Sequence, residues 1–492
     1  MSPVGARRYI KLILPLRLEW EPCYWVSEDV VAGQRVLVRF SGRKTVGVVS
    51  QTDIDPDIDP ARIQPVLECN TGLDPISAQE MELWRFISEY YMCTCGEVYK
   101  AAYPPLKTAS EQSGARAMQR KEELEARSAE LWRKRIARLQ SRLDAKNADL
   151  GKKHNEAVRI RLEAQRDAIV EELLNAQQRL SLFSRELNLA ATPLPDNMPD
   201  LKEDALLQQA LKSCRPVILK SAARTDSYIA AAAEVLRQGK NVFIMVNEIT
   251  LAGCLCEQLR DTFGQLLLVH HSQLTRSAQR RICDKVRSGQ QYILIGTRSA
   301  IFVPHRDLGL IIVENEESTF YKQGDTAPRY NARDCAVKLS AIHKCRIILG
   351  SVSPSLETIL NGRNGKYCMV DRKADAKEMR PECQEIIVDI PAERAKNGVE
   401  GPFSKILLKQ ISLLPESRRI ALIRGFERAE DLPPLPLTDT LTIQQAAHTD
   451  LSGYDLVAML SADALFNASD FRSDEHVFQY LERLRSTCPR LV

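Results

Sequence analysis

Residues 308–323 read LGLIIVENEESTFYKQ. The stretch opens on a run without a polar side chain, Leu308 to Val313, and then turns into acids, an amide and aromatics. A short, wholly apolar run bounded by charge reads as a strand buried on both faces. Working outward, the same signature recurs in VILK (217–220), NVFIMV (241–246), QLLLVHH (265–271), YILIG (292–296) and RIILG (346–350). A charged stretch of helical character follows each, such as SYIAAAAEVLRQG at 227–239. Strands of this kind alternating with helices imply an α/β fold with a parallel sheet covered on both sides. Residues 384–492 continue less regularly, with EIIVDI, RRIALI, TLTIQQ and YDLVAML as candidate strands and DEHVFQYLERLR as a last helix.

Upstream, the character differs. YIKLILPL, CYWVSE, QRVLVRF and KTVGVVSQ are short, partly alternating runs, and FSGRK forms a glycine-containing hairpin turn between the last two. SAQEMELWRFISEYY then places Met81, Trp84, Ile87 and Tyr91 on one helical face. Together these predict a small β-barrel-like domain closed by a helix. From 112 to 190, Trp132, Ile136, Leu139, Leu143 and Leu150 follow heptad spacing, and Val158, Leu162, Ile169, Leu173 and Leu180 resume it after a turn near Gly151. Two helices of ~50 Å, at ~1.5 Å per residue, would make an antiparallel coiled-coil arm. TPLPDNMPD (192–200) reads as a linker. The expected domains are 1–110, a β domain; 111–191, the arm; 192–372, a first α/β lobe; and 373–492, a trimmed second lobe.

The bulk numbers constrain function modestly. At 492 residues the chain holds roughly three domains. Hydrophobic and charged fractions of 44% and 27% are those of an ordinary globular protein, and a net charge of +4 is too small to argue for nucleic acid alone. Lys11 and Pro15 interrupt the first apolar run, which reads as a strand rather than a signal peptide. No run of about 18 apolar residues suggests a membrane span. The 13 cysteines are scattered. The close pairs, Cys93/Cys95 and Cys254/Cys256, lack zinc-ligand spacing, so free thiols in a reducing cytoplasm are expected and zinc is not.

GTRSAIFVP (296–304), LGLIIVENEESTFYKQ, APRYNARD (327–334) and LGSVSPSLET (349–358) resemble, in order and spacing, the motifs of the primosomal protein N′ (PriA) replication-restart helicases of superfamily 2. EPCYW, GQRVLVRFSGRKTVGVV and YYMCTCGEVYKAAYPP resemble that family's N-terminal domain for DNA 3′ ends. LSADALFNASDFRSDEHVFQYL (460–481) resembles part of its second motor lobe. The resemblance implies a RecA-like motor lobe and DNA as substrate.

The departures matter as much. The family's phosphate loop falls on Ile218 to Thr225, where Ile218, Ser221 and Ala223 replace glycines, Arg224 replaces the lysine and Thr225 is retained. A phosphate cradle needs glycine so that backbone N–H groups can close on the oxygens without a Cβ between them. Where the family has Asp-Glu-Glu-His, this chain has Glu314, Asn315, Glu316 and Glu317. Glu314 is a methylene too long for the magnesium ligand, and Asn315 cannot serve as a carboxylate base. The arginine motif expected after the last helix is LERLRSTCPRLV, with Arg490 alone matching, and RGFERAEDLPPLPLTD stands where the family has a zinc module. The resemblance therefore implies a nucleotide site reduced to Arg224, Thr225, Glu314, Asn315 and Glu316, without catalytic residues or cofactors.

On the DNA side, Thr297 and Arg298 match the stretch that tracks the DNA backbone, and Phe320, Tyr321, Lys322, Gln323, Arg329 and Tyr330 match the aromatic-rich loop. Aromatics interleaved with bases suit stacking and phosphate neutralisation, although any of them can equally be core. Arg35, Arg39, Arg43 and Lys44 gather on the hairpin around Gly42, where they can contact phosphates or simply be solvated. Pro22, Cys23 and Gln64 replace residues of the family's 3′-nucleotide pocket, next to Tyr24.

The expectation is a cytoplasmic, non-membrane pseudo-helicase that binds branched or single-stranded DNA in replication restart. Replication-restart or single-strand-binding proteins would be its partners. Two alternatives remain: an ATP- and magnesium-dependent 3′–5′ helicase with an atypical nucleotide site, and an interaction scaffold that no longer binds DNA.

Overall fold

A computed structural model describes residues 7–104, 204–247, 253–372, 383–396 and most of 398–492, with short pieces between 134 and 146 and between 194 and 201. The heptad arm and the DLPPLPL stretch lie largely outside the described residues, and the linker lies partly so. The chain forms two compact units. One comprises 1–102, 192–272 and 291–492; the other comprises 103–191 and 273–290.

Strands β1 (Arg8–Ile13), β2 (Cys23–Val26), β3 (Arg35–Phe40), β4 (Arg43–Gln51) and β5 (Gln64–Pro65) form a sheet of order β3-β4-β1-β2-β5. Just after β5, Leu37 N–H donates to Glu68 O and Leu67 N–H to Leu37 O, at 2.8 Å each, which joins the far edge back to β3. The sheet thus closes into a barrel around Ile10, Leu12, Tyr24, Val36, Val38 and Val49. The β3–β4 turn has Ser41 and Gly42 at φ 46° and 78°, the doubly left-handed turn whose twist suits a two-residue hairpin. Helix α1 (Ala78–Tyr90) starts on a reciprocal cap between Ser77 and Glu80 and buries Met81, Trp84 and Ile87, as its spacing predicts. Helix α2 (Cys95–Ala102) follows.

The first lobe runs through α3 (Ala205–Lys212), β6 (Val217–Lys220), α4 (Thr225–Arg237), β7 (Asn241–Met245), α5 (Gly253–Phe263), β8 (Leu267–His270), α6 (Arg276–Arg287) and β9 (Ile293–Gly296). It continues with β10 (Leu308–Glu314), α7 (Ala332–His343), β11 (Arg346–Ser351), α8 (Leu356–Arg363) and β12 (Cys368–Asp371). Its seven strands are parallel, in the order β12-β6-β11-β10-β7-β9-β8. The non-sequential order requires a helical crossover between most strands, and it puts the motif-bearing ends of β6, β10 and β11 side by side. Helix α6 belongs to the second unit, where Arg287 donates to Tyr103 Oη at 3.0 Å.

The remaining elements are β13 (Gln384–Glu385), α9 (Ile390–Lys396), the short pair β14 (Val399–Glu400) and β15 (Phe403–Ser404), α10 (Lys405–Ser412) and β16 (Ile420–Arg424). After these come β17 (Thr438–Thr442), α11 (Ile443–Ala447), β18 (Leu456–Met459), α12 (Ser473–Thr487) and β19 (Arg490–Leu491). A second parallel sheet has the order β13-β19-β18-β16-β17. Along β16, Ile420 and Leu422 face Leu407 and Ile411, whereas Ala421 and Ile423 face Leu484 and Leu491. Both faces are buried, which is why RRIALI lacks polar alternation. Two candidate strands shorten. EIIVDI keeps only its first residue in a strand, Gln384–Glu385, with Ile386 N–H still donating to Leu491 O at 2.9 Å, and leaves Ile387 exposed. TLTIQQ breaks at Thr442, whose hydroxyl caps α11 through Gln445 N–H at 3.1 Å.

Candidate functional site

The four-residue junction between β6 and α4, Ser221 to Arg224, sits where a phosphate loop would be. Strand pairing persists through Lys220, and Ser221 N–H donates to Ser351 O at 3.1 Å, so it points along the sheet and not into a cradle. Arg224 is buried, at 7% exposure, and turns inward. Its Nε donates to Glu314 at 3.1 Å and its Nη2 bonds the other Glu314 oxygen, giving a two-pronged ion pair. Nη2 also donates to Asn315 Oδ1 at 2.9 Å, and Nη1 donates to Ser221 O. Burial works against the charge on Arg224, but Glu314 more than offsets it, and the guanidinium pKa is raised.

Tyr228, buried on α4, donates its hydroxyl to Glu314 Oε2. A side chain at Gly350 could not coexist with it, because a Cβ there would fall 1.6 Å from Tyr228 Oη. Thr225 opens α4 and Asp226 adds an acid to the first turn, where the helix dipole favours an anion and a phosphate would be repelled. Magnesium nucleotide does not fit these residues: Ser221 N–H is turned away, the Arg224 guanidinium occupies the junction, and the Glu314 carboxylate is already paired.

Glu316 is fully engaged. It accepts from Ser355 N–H at 2.6 Å, from the Ser355 and Thr358 hydroxyls at 3.0 Å each, and from Arg333 Nη1 at 3.1 Å. It therefore anchors the start of α8 and one face of α7. Glu317 is pushed up to about 7, chiefly by desolvation, with the Ser351 hydroxyl opposing.

The aromatic loop departs from expectation. Tyr321 is buried at 1% exposure and donates its hydroxyl to Met245 O (3.2 Å) and Glu314 O. Tyr330 is buried at 4% and packs edge-on against Phe302. Neither can stack on a base; both are core, because their hydroxyls are used by main-chain carbonyls. Arg298 is half-buried, with Nη1 donating to Phe320 O at 3.3 Å and to Lys322 O at 2.9 Å. Lys322 donates to Arg329 O at 2.7 Å and lies over the Tyr91 ring. Gln323 closes the hairpin with N–H to Tyr330 O at 2.9 Å. Phe320 and Arg329 remain exposed. A cleft of about 220 Å³ runs beside this loop, lined by Thr297, Arg298, Phe302, Gln323 and Tyr330, with Ala101 from the first domain. Tyr91 Oη reaches Asp334 at 3.2 Å and Lys338 reaches Glu82 at 3.2 Å, which ties the barrel's helices to α7.

On the barrel, Arg39 pairs across the ladder with Lys44 and Phe40 with Arg43. Arg39, Arg43 and Lys44 are exposed, and none has an ion-pair partner among the described residues. Like charges directly opposite one another destabilise a hairpin, so their grouping is not explained by folding. Arg35 is buried and drops out of the cluster. Trp20, 60% exposed, lies 6.4 Å from Phe40, ring centre to ring centre. Tyr24 is buried, its hydroxyl on Arg39 O at 2.9 Å, and it neighbours Gln64. Sequence reasoning missed Tyr228, Arg333 and Tyr91, which lie in or beside quoted motifs but show their role only through contacts distant in sequence.

These features define an α/β protein with a seven-stranded RecA-like parallel sheet, a second parallel sheet and a small β-barrel domain. A family model described as the PriA 3′ DNA-binding domain matches residues 11–104. The replication restart protein PriA of Chlamydia pneumoniae is 26% identical over 427 residues, covering 82% of this chain and 56% of that protein. That of Haemophilus influenzae is 28% identical over 400 residues, covering 77% and 54%. The chain is thus similar over most of its length to PriA replication restart proteins, and it spans about half the length of the curated relatives it matches. Among solved structures, RecG bound to a three-way DNA junction matches with a TM-score of 0.36 at 13% identity, covering 61% of this chain and 43% of that one. The DEAD-box helicase Mss116 bound to single-stranded RNA gives 0.38 at 13% identity, covering 61% and 72%.

Proposed function

We propose that this protein holds forked or single-stranded DNA during replication restart without hydrolysing ATP. The observation that carries the reading is the Arg224–Glu314 pair, which spends on each other the cation meant for phosphate and the carboxylate meant for magnesium. Phosphoryl transfer depends on positioned phosphates, a held metal and an oriented water. Ser221, Arg224, Glu314 and Asn315 are arranged for none of these. The exposed cations at Arg39, Arg43, Lys44 and Arg329 supply phosphate contacts, and Phe320 and Trp20 supply exposed rings for bases. Recognition rests on these groups; Tyr321, Tyr330 and Arg298 shape the loop that presents one of them. No cofactor takes part, and other replication-restart or single-strand-binding proteins are the proposed partners in the cytoplasm. No helix among the described residues is long and apolar enough to cross a membrane.

Fluorescence anisotropy with forked and single-stranded DNA at two salt concentrations, with and without magnesium ATP, tests this. Affinity should fall steeply with salt, by a log–log slope of roughly −0.7 to −0.9 per phosphate contacted. ATP should change nothing, and no DNA-stimulated phosphate release should appear. Fork-stimulated turnover would instead indicate an ATP-driven helicase; a flat, salt-independent absence of binding would indicate a scaffold.

A further inference from the structure

Glu314 and Asn315 are more than remnants of a metal site, because they are the root of the 318–331 loop. Asn315 stands at φ 52°, a left-handed conformation that asparagine tolerates better than a longer side chain, and there the chain leaves β10. Its carbonyl accepts Ser318 N–H at 2.9 Å, which closes the turn into the loop. Arg224 grips both residues of that departure, the Glu314 carboxylate and Asn315 Oδ1. On the far side, the buried Tyr321 hydroxyl bonds the Glu314 carbonyl. The chain neighbours of Tyr321 are held in turn: Arg298 Nη1 donates to the carbonyls of Phe320 and Lys322, and Lys322 donates to the carbonyl of Arg329. One buried guanidinium is thus linked, through hydrogen bonds and the backbone on either side of Tyr321, to the segment that carries the exposed Phe320 and Arg329.

We infer that Arg224 is a built-in substitute for a bound nucleotide: a positioning residue whose guanidinium holds the root of the 318–331 loop in its DNA-meeting pose. DNA binding then requires no ligand and responds to none. The inference rests on the DNA-binding reading above, which it deepens by describing how the former nucleotide site is regulated.

The test combines hydrogen exchange of the full chain with DNA binding for the wild type, Arg224→Ala and Arg224→Lys. In Arg224→Ala, amides of 315–331 should exchange faster while the β-barrel amides do not, and fork affinity should fall roughly tenfold, within the usual range for coupled sites. Millimolar guanidinium chloride, too dilute to denature, should restore both by refilling the vacated space; sodium chloride at equal ionic strength should not. Arg224→Lys, which keeps the charge and loses the fork geometry, should fall between. Should Arg224→Ala fail to fold, Glu314→Gln removes the charge at nearly constant shape and should loosen the same amides. Unchanged exchange at 315–331 in these variants, or a wild-type DNA affinity that shifts with magnesium ATP or pyrophosphate, would overturn the inference. If the wild type binds no DNA, the functional reading fails, and the exchange and guanidinium results still decide whether Arg224 holds the loop.

Discussion

Arg224 and Arg43 both stand at turns next to strands, yet the structure treats them oppositely. Arg224 is buried and uses its Nε and both terminal nitrogens on Glu314, Asn315 and Ser221. Arg43 is exposed on a hairpin beside Lys44, with Arg39 opposite that lysine. The first cation is consumed by the fold; the others are left for something outside it. Charge count alone is therefore a poor guide to binding: what matters is whether a carboxylate within reach has already neutralised the cation.

The comparison breaks first at Arg224. Truncation to alanine leaves Glu314 without its counter-charge in a largely buried position, so unfolding free energy should drop by about 3–5 kcal/mol. Chemical denaturation measures this, and a drop under about 0.5 kcal/mol, typical of a surface change, would put Arg224 in the same class as Arg43. Next is Gly350→Ala, which forces Tyr228 away from Glu314; overpacking of this kind costs about 1–3 kcal/mol, read in the same titration.

Glu317→Gln sharpens the picture through pH. The carboxyl is pushed up to about 7 by burial, above its unfolded value, so the folded state keeps a proton that the unfolded state has lost. The sign is therefore a loss of stability as pH rises from about 4.5 toward 7, with the full penalty above that. The glutamine variant should flatten this slope and be more stable at pH 8 by on the order of 1–2 kcal/mol. Thermal melts across that range check it. Smallest for the fold is the combined Arg39→Ala, Arg43→Ala, Lys44→Ala change. It should leave stability within about 0.5 kcal/mol per site while lowering the salt slope of DNA binding by about 0.9 per lost phosphate contact. An unchanged slope would mean the hairpin is only a solvated turn.

Much of the architecture was legible because burial leaves a direct mark on composition. Runs such as LGLIIV and NVFIMV are apolar at every position because both faces of a parallel sheet are covered. The spacing of Met81, Trp84 and Ile87 announced the buried face of α1, and the glycine of FSGRK the hairpin turn between β3 and β4. At the site, the loss of glycine and the Asp-to-Glu change were readable one residue at a time. The tyrosines were not. Tyr321 and Tyr330 have the composition of a stacking loop, but carbonyls of Met245 and Arg298, distant in sequence, take their hydroxyls. EIIVDI has the composition of a strand, but its ladder with β19 covers only Gln384 and Glu385.

Local chemistry alone thus settled which segments have strand character, which turns are possible, and that residues 218–225 cannot wrap a phosphate through glycine. Those outcomes depend on backbone sterics and on neighbours a few residues apart. The partner of each charge was settled elsewhere. Arg224 meets Glu314 across 90 residues, and Arg298 meets the aromatic loop across 22 and 24, once the parallel order brings the ends of β6, β9 and β10 to one edge. An ion pair is decided by distance in space and by the dielectric around it, and neither is written in the order of residues along a chain.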